Sequence, residues 1–356
     1  MFFKNIILMA EFIIMNNRII LWGNWVINKD DLTTSFLSKK HPFTGQQLSW
    51  RSRHNIVKTI KFLSGNWWLE QLKSIRDYEP LLFDNLTSAP QLGKGAFATV
   101  YSYKNYAVKA VKRQNYGKIK INGETEANVF KTLMSVVKAN HTPGIVLFYE
   151  YNNGNLVLEK MDCSLAEYLT IGNEPQIKGV ILQVLFTLLI LQRLYPGFRH
   201  NDLKVDNILL DTSTVRNAPI TLQYHSHFWN IPVDAPLAKV ADFDYTVIPG
   251  VIENNRVGTS YTKKFGCSRE PNDIYDVHLF LNSLFIYRKH LPKSVRSWIK
   301  KQLPAITRGK GDAVKFGRLK DPQKWVGKIH SPLNLLRGGF FKEFRQNTKA
   351  YPLWGI

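Results

Sequence analysis

Asp202, Lys204 and Asn207 lie within six residues of one another, between an apolar run that reads as a helix and an apolar run that reads as a strand. A carboxylate can orient an attacking hydroxyl and take its proton. A lysine can neutralise charge on transferring oxygens, and an amide oxygen is a ligand for a hard cation such as magnesium. Together these are the requirements of in-line phosphoryl transfer. A polar loop that only caps a helix and opens a strand would contain such residue types by chance, so the spacing needs support from elsewhere in the chain.

Two further segments supply it. Upstream, Leu92, Gly93, Gly95, Phe97 and Val100 are followed by Ala107-Val-Lys109; downstream, Lys239-Val-Ala leads into Asp242-Phe-Asp244. In order and spacing the three segments resemble the signature set of the protein kinases. The resemblance covers about residues 85 to 290, and in its departures it is most similar to the divergent serine/threonine kinases of nucleocytoplasmic large DNA viruses. It implies an α+β bilobal kinase-like fold, with a small, mainly β N-lobe at 85–161 and a mainly helical C-lobe at 162–290. It also implies ATP and Mg2+ as cofactors and a protein substrate with a Ser/Thr acceptor.

The resemblance assigns roles residue by residue. Asp202 is the base that orients the acceptor, and Lys204, in the Asp-Leu-Lys form associated with Ser/Thr kinases, neutralises the transferring phosphate. Asn207 and Asp242 hold magnesium. Gly93 and Gly95 admit phosphates close to the backbone, Phe97 caps them, and Leu92, Val100 and Ala107 enclose the adenine. The strand repeats Ala-Val-Lys, so Lys109 and Lys112 compete for the phosphate role. Side chains three apart on a strand face opposite ways, and Lys109 is preferred because Ala107 then lies under the adenine. Glu126, which precedes Val129, Phe130 and Leu133 at helical spacing, is preferred to Glu124 as the partner of Lys109. Leu158 falls at the gatekeeper position, and the backbone of Glu159 and Met161 is placed to bond adenine.

Several positions depart from the family pattern. Ala98 replaces the third glycine, Asn201 stands where an arginine usually pairs with an activation-loop phosphate, and Asp244 replaces the glycine of Asp-Phe-Gly. The last change argues for one fixed conformation with Asp242 turned inward. No Ala-Pro-Glu segment follows; residues 266–272 read Gly-Cys-Ser-Arg-Glu-Pro-Asn. Asp276 is assigned to brace the catalytic loop. The 28 residues 211–238 read as a surface insertion, whose His225 and His227 lack a third metal ligand.

At 356 residues and 44% hydrophobic, the chain can bury one two-lobed domain with flanking segments. Two cysteines make no disulfide framework and fit a reducing compartment. Net charge is +21, and residues 286–356 hold seventeen Lys and Arg against three acids, an excess of +14. That basic region, 291–356 in the domain reading, suits polyanion or nucleic-acid contact and reads as loop-rich beyond a basic amphipathic helix at Ser294–Leu303. Residues 1–84 form an N-terminal extension with an adaptor-like segment at 41–63. Its apolar start is broken by Lys4 and Glu11, so no membrane span is expected. The reading is an ATP-dependent protein serine/threonine kinase, cytoplasmic in an infected host cell, with virion association as an extension. The alternatives are a pseudokinase scaffold binding nucleic acid and a small-molecule phosphotransferase of kinase-like fold.

Overall fold

The computed structural model describes residues 77–346 and 353–356, less 84, 113, 117–118, 122, 215, 217–218 and 260–265, together with 18–20, 26–28, 71 and 74–75. The apolar N-terminus and the adaptor-like segment at 41–63 lie outside the described residues; the N-terminal extension contributes two short paired strands, Arg18–Ile20 and Val26–Asn28.

The first lobe is a five-stranded antiparallel sheet built from β1 (Gln91–Lys94), β2 (Ala98–Tyr103), β3 (Tyr106–Val111), β4 (Phe148–Asn152) and β5 (Asn155–Glu159), in the order β1-β2-β3-β5-β4. Valine and tyrosine suit a pleated, half-buried surface, and both tight turns pass through positive φ. Lys104 turns β2 into β3 at φ 52°, and Asn153 and Gly154, at 52° and 89°, turn β4 into β5. The segment before β4 joins this sheet from Phe148. Residues 144–146 bond instead to Val240, since Val146 N–H donates to its carbonyl and its N–H donates to Gly144, so the segment ties the lobes together.

Between β3 and β4 runs α1 (Glu124–Lys138), whose buried stripe of Ala127, Phe130, Leu133, Met134 and Val137 packs against β4. Phe130 stacks on Phe148 with ring centroids 5.5 Å apart. This packing fixes the helix beside the sheet, and with it Glu126.

The second lobe begins at β6 (Cys163–Ser164) and α2 (Leu165–Tyr168), where Ser164 and Glu167 form a reciprocal capping box. Next comes α3 (Glu174–Leu194), capped by Asn173 and Gln176 in the same way. It is the one helix among the described residues long and apolar enough to cross a membrane, but its residues are buried nearly all round, as the central helix of the lobe. The chain returns through β7 (Ile208–Asp211), β8 (Ile220–Tyr224), β9 (His227–Ile231) and β10 (Leu237–Val240). It continues in α4 (Tyr275–Ile286), α5 (Lys293–Gln302), the hairpin β11 (Val314–Lys315) and β12 (Arg318–Leu319), α6 (Pro332–Arg337), β13 (Arg345–Gln346) and β14 (Leu353–Gly355).

One expectation is corrected by this lobe. Residues 211–238 are not a surface insertion: β8 and β9 join β13 and β14 in a sheet of order β13-β9-β8-β14, and Ile220, Leu222, Trp229 and Ile231 are buried in the main core. Alternation of apolar and polar residues in two five-residue strands around a His-Ser turn was the signal. Of the two readings of residues 291–356, a C-terminal part of the C-lobe or a tail, the packing favours the first, because Leu319, Leu336, Phe341 and Trp354 are fully buried in the same core. His227 Nε2 accepts from Arg337 Nε at 2.9 Å.

Candidate active site

Lys109 stands on β3 with its side chain turned into the space between the lobes. Its ammonium lies 2.8 Å from Oε1 of Glu126 and 2.6 Å from Oδ1 of Asp242. One residue pair therefore joins sheet to helix and the other joins both to the second lobe. Burial works against the Lys109 charge, but Asp242, Asp244 and Glu126 hold its pKa well above the ordinary value. Burial likewise pushes the Asp242 carboxyl up, yet the Lys109 ammonium outweighs it and the net direction is down. Glu126 is fully enclosed, and burial raises its carboxyl against the pull of the same ammonium. Lys112, by contrast, is exposed and reaches only the Gly95 carbonyl at 3.4 Å.

Glu126, Asp242 and Asp244 offer oxygen atoms within 4.8 Å of one another. The two cations facing them are Lys109 and Arg256, whose Nη1 lies 3.0 Å from Asp244. The Arg256 guanidinium also stacks on Phe97 at 4.7 Å and on Tyr245 at 4.6 Å, so Asp244 holds the arm that closes under the tip of the β1–β2 turn. Phe243 packs its ring 5.0 Å from that of Phe130, which sets Asp242 facing inward with φ 61°.

Asp202 lies across the cleft. Its Oδ2 accepts from Nδ2 of Asn207 at 3.0 Å and lies 3.3 Å from the Lys204 ammonium. Asn207 also donates to the Asp202 carbonyl at 2.8 Å. With both amide bonds spent there, the Asn207 oxygen is left for a cation, and Asp242, with its side chain 38% exposed, supplies carboxylate oxygen at the same cleft. An all-oxygen donor set suits Mg2+.

The loop is held by α4. Asp276 accepts the N–H of His200 at 2.8 Å and of Asn201 at 2.9 Å. His200 Nε2 meets the Ala241 carbonyl at 3.0 Å, which couples the loop to the residue before Asp242. Asn201, at φ 65°, donates to the carbonyls of Tyr245 and Ser268. Where an arginine would face a phosphate, this asparagine laces the loop to the segment after Asp244. Asparagine tolerates the left-handed region better than most residues.

The turn before Val100 leaves room for an anion. Gly93 and Gly95 have no positive φ. A methyl group on Gly93 would meet no atom within 4 Å. Neither internal packing nor backbone conformation demands glycine at Gly93, so the space over it is open to a phosphate brought close to the main chain.

Residues 86–246 match the family model of the protein kinase domain. Two curated proteins of Acanthamoeba polyphaga mimivirus, each named "Putative serine/threonine-protein kinase", are similar to it. R400 is 33% identical over 152 residues, 39% of this chain and 32% of that protein. R301 is 28% identical over 122 residues, 33% of this chain and 30% of that protein. The chain thus spans about a third of the length of these curated relatives. The bilobal α+β organisation is consistent with the fold of that family.

Within the matched residues, Ala107 pairs with Leu158 across β3 and β5, with Val100 opposite Lys109 on β2. Leu92 is 49% exposed at the mouth and Met161 is half-buried. Glu159 is bonded through both its backbone and its side chain. Its N–H donates to the Leu147 carbonyl at 2.9 Å, and its carboxylate accepts from Lys239 at 2.7 Å through both oxygens. Lys239 thereby bolts β10 to the link between the lobes, with Gln71 bonding to both partners.

Three of these contacts were not visible in the sequence. Lys239 precedes Asp242 in a strand where lysine reads as solvated, and Arg256 sits in a stretch with no motif. Arg318 is 116 residues from Asp202, yet its Nη2 pairs with Asp202 Oδ1. The one sequence signal for it is the Phe316-Gly317 turn, which marks a hairpin but no destination.

Proposed function

We propose that this protein is an ATP-dependent serine/threonine kinase that transfers the γ-phosphoryl group to a protein hydroxyl. The observation that carries the reading is the convergence of Lys109, Glu126 and Asp242 from three elements, facing Asp202 and Asn207 across one cleft. Gly93, Gly95 and Phe97 would cover the phosphates, and Lys109, fixed by Glu126, would hold their oxygens. Leu92, Val100, Ala107 and Met161 would enclose the adenine, with the Glu159 backbone at its edge. Magnesium, held by Asp242 and Asn207, would neutralise charge on the phosphate oxygens. Asp202 orients the acceptor hydroxyl so that its oxygen bonds to the γ-phosphorus as the bond to the β-phosphate oxygen breaks. The hydroxyl proton passes to the Asp202 carboxylate, and Lys204 balances charge on the moving group.

The relatives' names support the choice of Ser/Thr acceptors, and the Lys204 position supports it independently. Both relatives are viral, and we place the protein in the cytoplasm of the infected cell, with its +21 charge favouring polyanionic surroundings. Incubation with Mg·ATP labelled at the γ position and a general protein substrate tests the reading. Label recovered as phosphoserine and phosphothreonine is expected. Phosphotyrosine as the main product, or label found only on small alcohols, would contradict it.

A further inference from the structure

In the hairpin β11–β12, Phe316 and Gly317 turn at φ 52° and 81°. The hairpin is fastened to α4 by Asn282, which donates to the Gly317 carbonyl at 2.9 Å. Its purpose in the fold is to deliver Arg318. The Arg318 side chain is 13% exposed and pairs with Oδ1 of Asp202, whose own side chain is 8% exposed; Arg318 Nε also reaches the Asn201 carbonyl at 3.4 Å. The other oxygen of Asp202 is already taken by Asn207 and Lys204. Arg318 therefore occupies the oxygen that remains for an incoming hydroxyl. Among the described residues, Asp202 is also the one carboxylate with which Arg318 forms an ion pair.

An acceptor that takes Asp202 from Arg318 leaves an enclosed guanidinium without a counter-charge, which is strongly unfavourable unless another anion replaces it. A neutral or basic acceptor offers no replacement. An acceptor with a carboxylate or phosphate next to its hydroxyl offers one, and the planar guanidinium binds either in bidentate fashion. The surroundings carry the same sign: residues 314–320 include Lys315, Arg318 and Lys320 and no acid, and Lys204 is partly exposed beside them.

We propose that Arg318 is a specificity-determining residue that selects acceptor peptides bearing an acidic group beside the Ser or Thr to be phosphorylated. The inference rests on the kinase reading and deepens it. Charged pairs in desolvated sites discriminate strongly against partners that leave one charge unmatched.

The test uses the full chain and two synthetic peptides that differ only in the residues flanking one threonine, aspartate in one and glutamine in the other. Wild type is expected to favour the acidic peptide by about tenfold or more in kcat/KM. In Arg318→Gln that ratio should fall to within about twofold, chiefly through a higher KM for the acidic peptide, and Arg318→Lys should retain part of it. Because the ratio compares two substrates of one preparation, partial unfolding of a variant cancels. Equal loss on both peptides in Arg318→Gln, or a wild-type preference for the glutamine peptide, would overturn the proposal while leaving the kinase reading intact. Labelling of neither peptide, with no labelling of a general protein substrate, would overturn both.

Discussion

The Lys109 ammonium lies 2.6 Å from Oδ1 of Asp242, although the two residues are separated by 133 positions in the chain and belong to different lobes. The contact sets the separation of the lobes at the height where phosphates would lie. Glu126 and Asp244 face the same ammonium, at 2.7 and 3.9 Å.

Removing that ammonium should therefore damage both stability and chemistry. Lys109→Ala leaves enclosed carboxylates uncompensated, a loss of about 3–5 kcal/mol in a buried pair. Transfer of label should fall with it. Lys112→Ala, on an exposed side chain, should change stability by no more than about 0.5 kcal/mol. Urea unfolding of the two variants decides between the tandem lysines, and a larger loss at Lys112 would reverse the assignment.

The C-terminal strand should be part of the folding unit. Trp354 is fully buried on β14, which pairs in parallel with β8. Trp354→Ala is expected to cost about 3–5 kcal/mol, as for other large core truncations. Gly355 lies at φ 145°, and a methyl group there would come 1.7 Å from the Gln223 carbonyl oxygen. Gly355→Ala should lower the melting temperature as well. Unchanged melting in both variants would show that the strand is dispensable.

Acid should weaken the protein through His278 on α4. Its ring is buried, with Nε2 2.7 Å from the Thr307 carbonyl, so the neutral tautomer donates there. Burial lowers its pKa from 6.5 to about 4, despite that bond. The unfolded chain binds this proton first, so the contribution to stability is intact above about pH 6.5 and lost progressively as pH falls toward about 4, to a total of about 3 kcal/mol. His278→Gln should flatten that part of the stability profile relative to wild type. Parallel profiles between pH 7 and pH 4 would contradict the assignment.

Local order was legible in the chain because each motif is short and each is framed by its own strand or helix. Ala107-Val-Lys109 announces a strand, the run through Leu133 a helix, and residues 198–210 a helix-to-strand turn. What the sequence withheld are contacts between distant segments. Arg318, Arg256 and Lys239 are basic residues in a chain rich in them, and nothing local distinguishes an enclosed cation from a solvated one. The sheet formed by β8, β9, β13 and β14 was missed for a related reason. Its strands are short, and the pairing of β8 with β14 joins segments about 130 residues apart, which no local pattern specifies.

Asp202 carries the central claim, and a single substitution separates binding from chemistry there. Asp202→Asn keeps the shape of the side chain and removes the base. It should lower transfer of labelled phosphate to protein by about a hundredfold to ten-thousandfold. Over the same range of Mg·ATP, the variant should still gain melting temperature as wild type does, since Gly93, Lys109 and Asp242 are untouched. Transfer by Asp202→Asn at the wild-type rate would contradict the account.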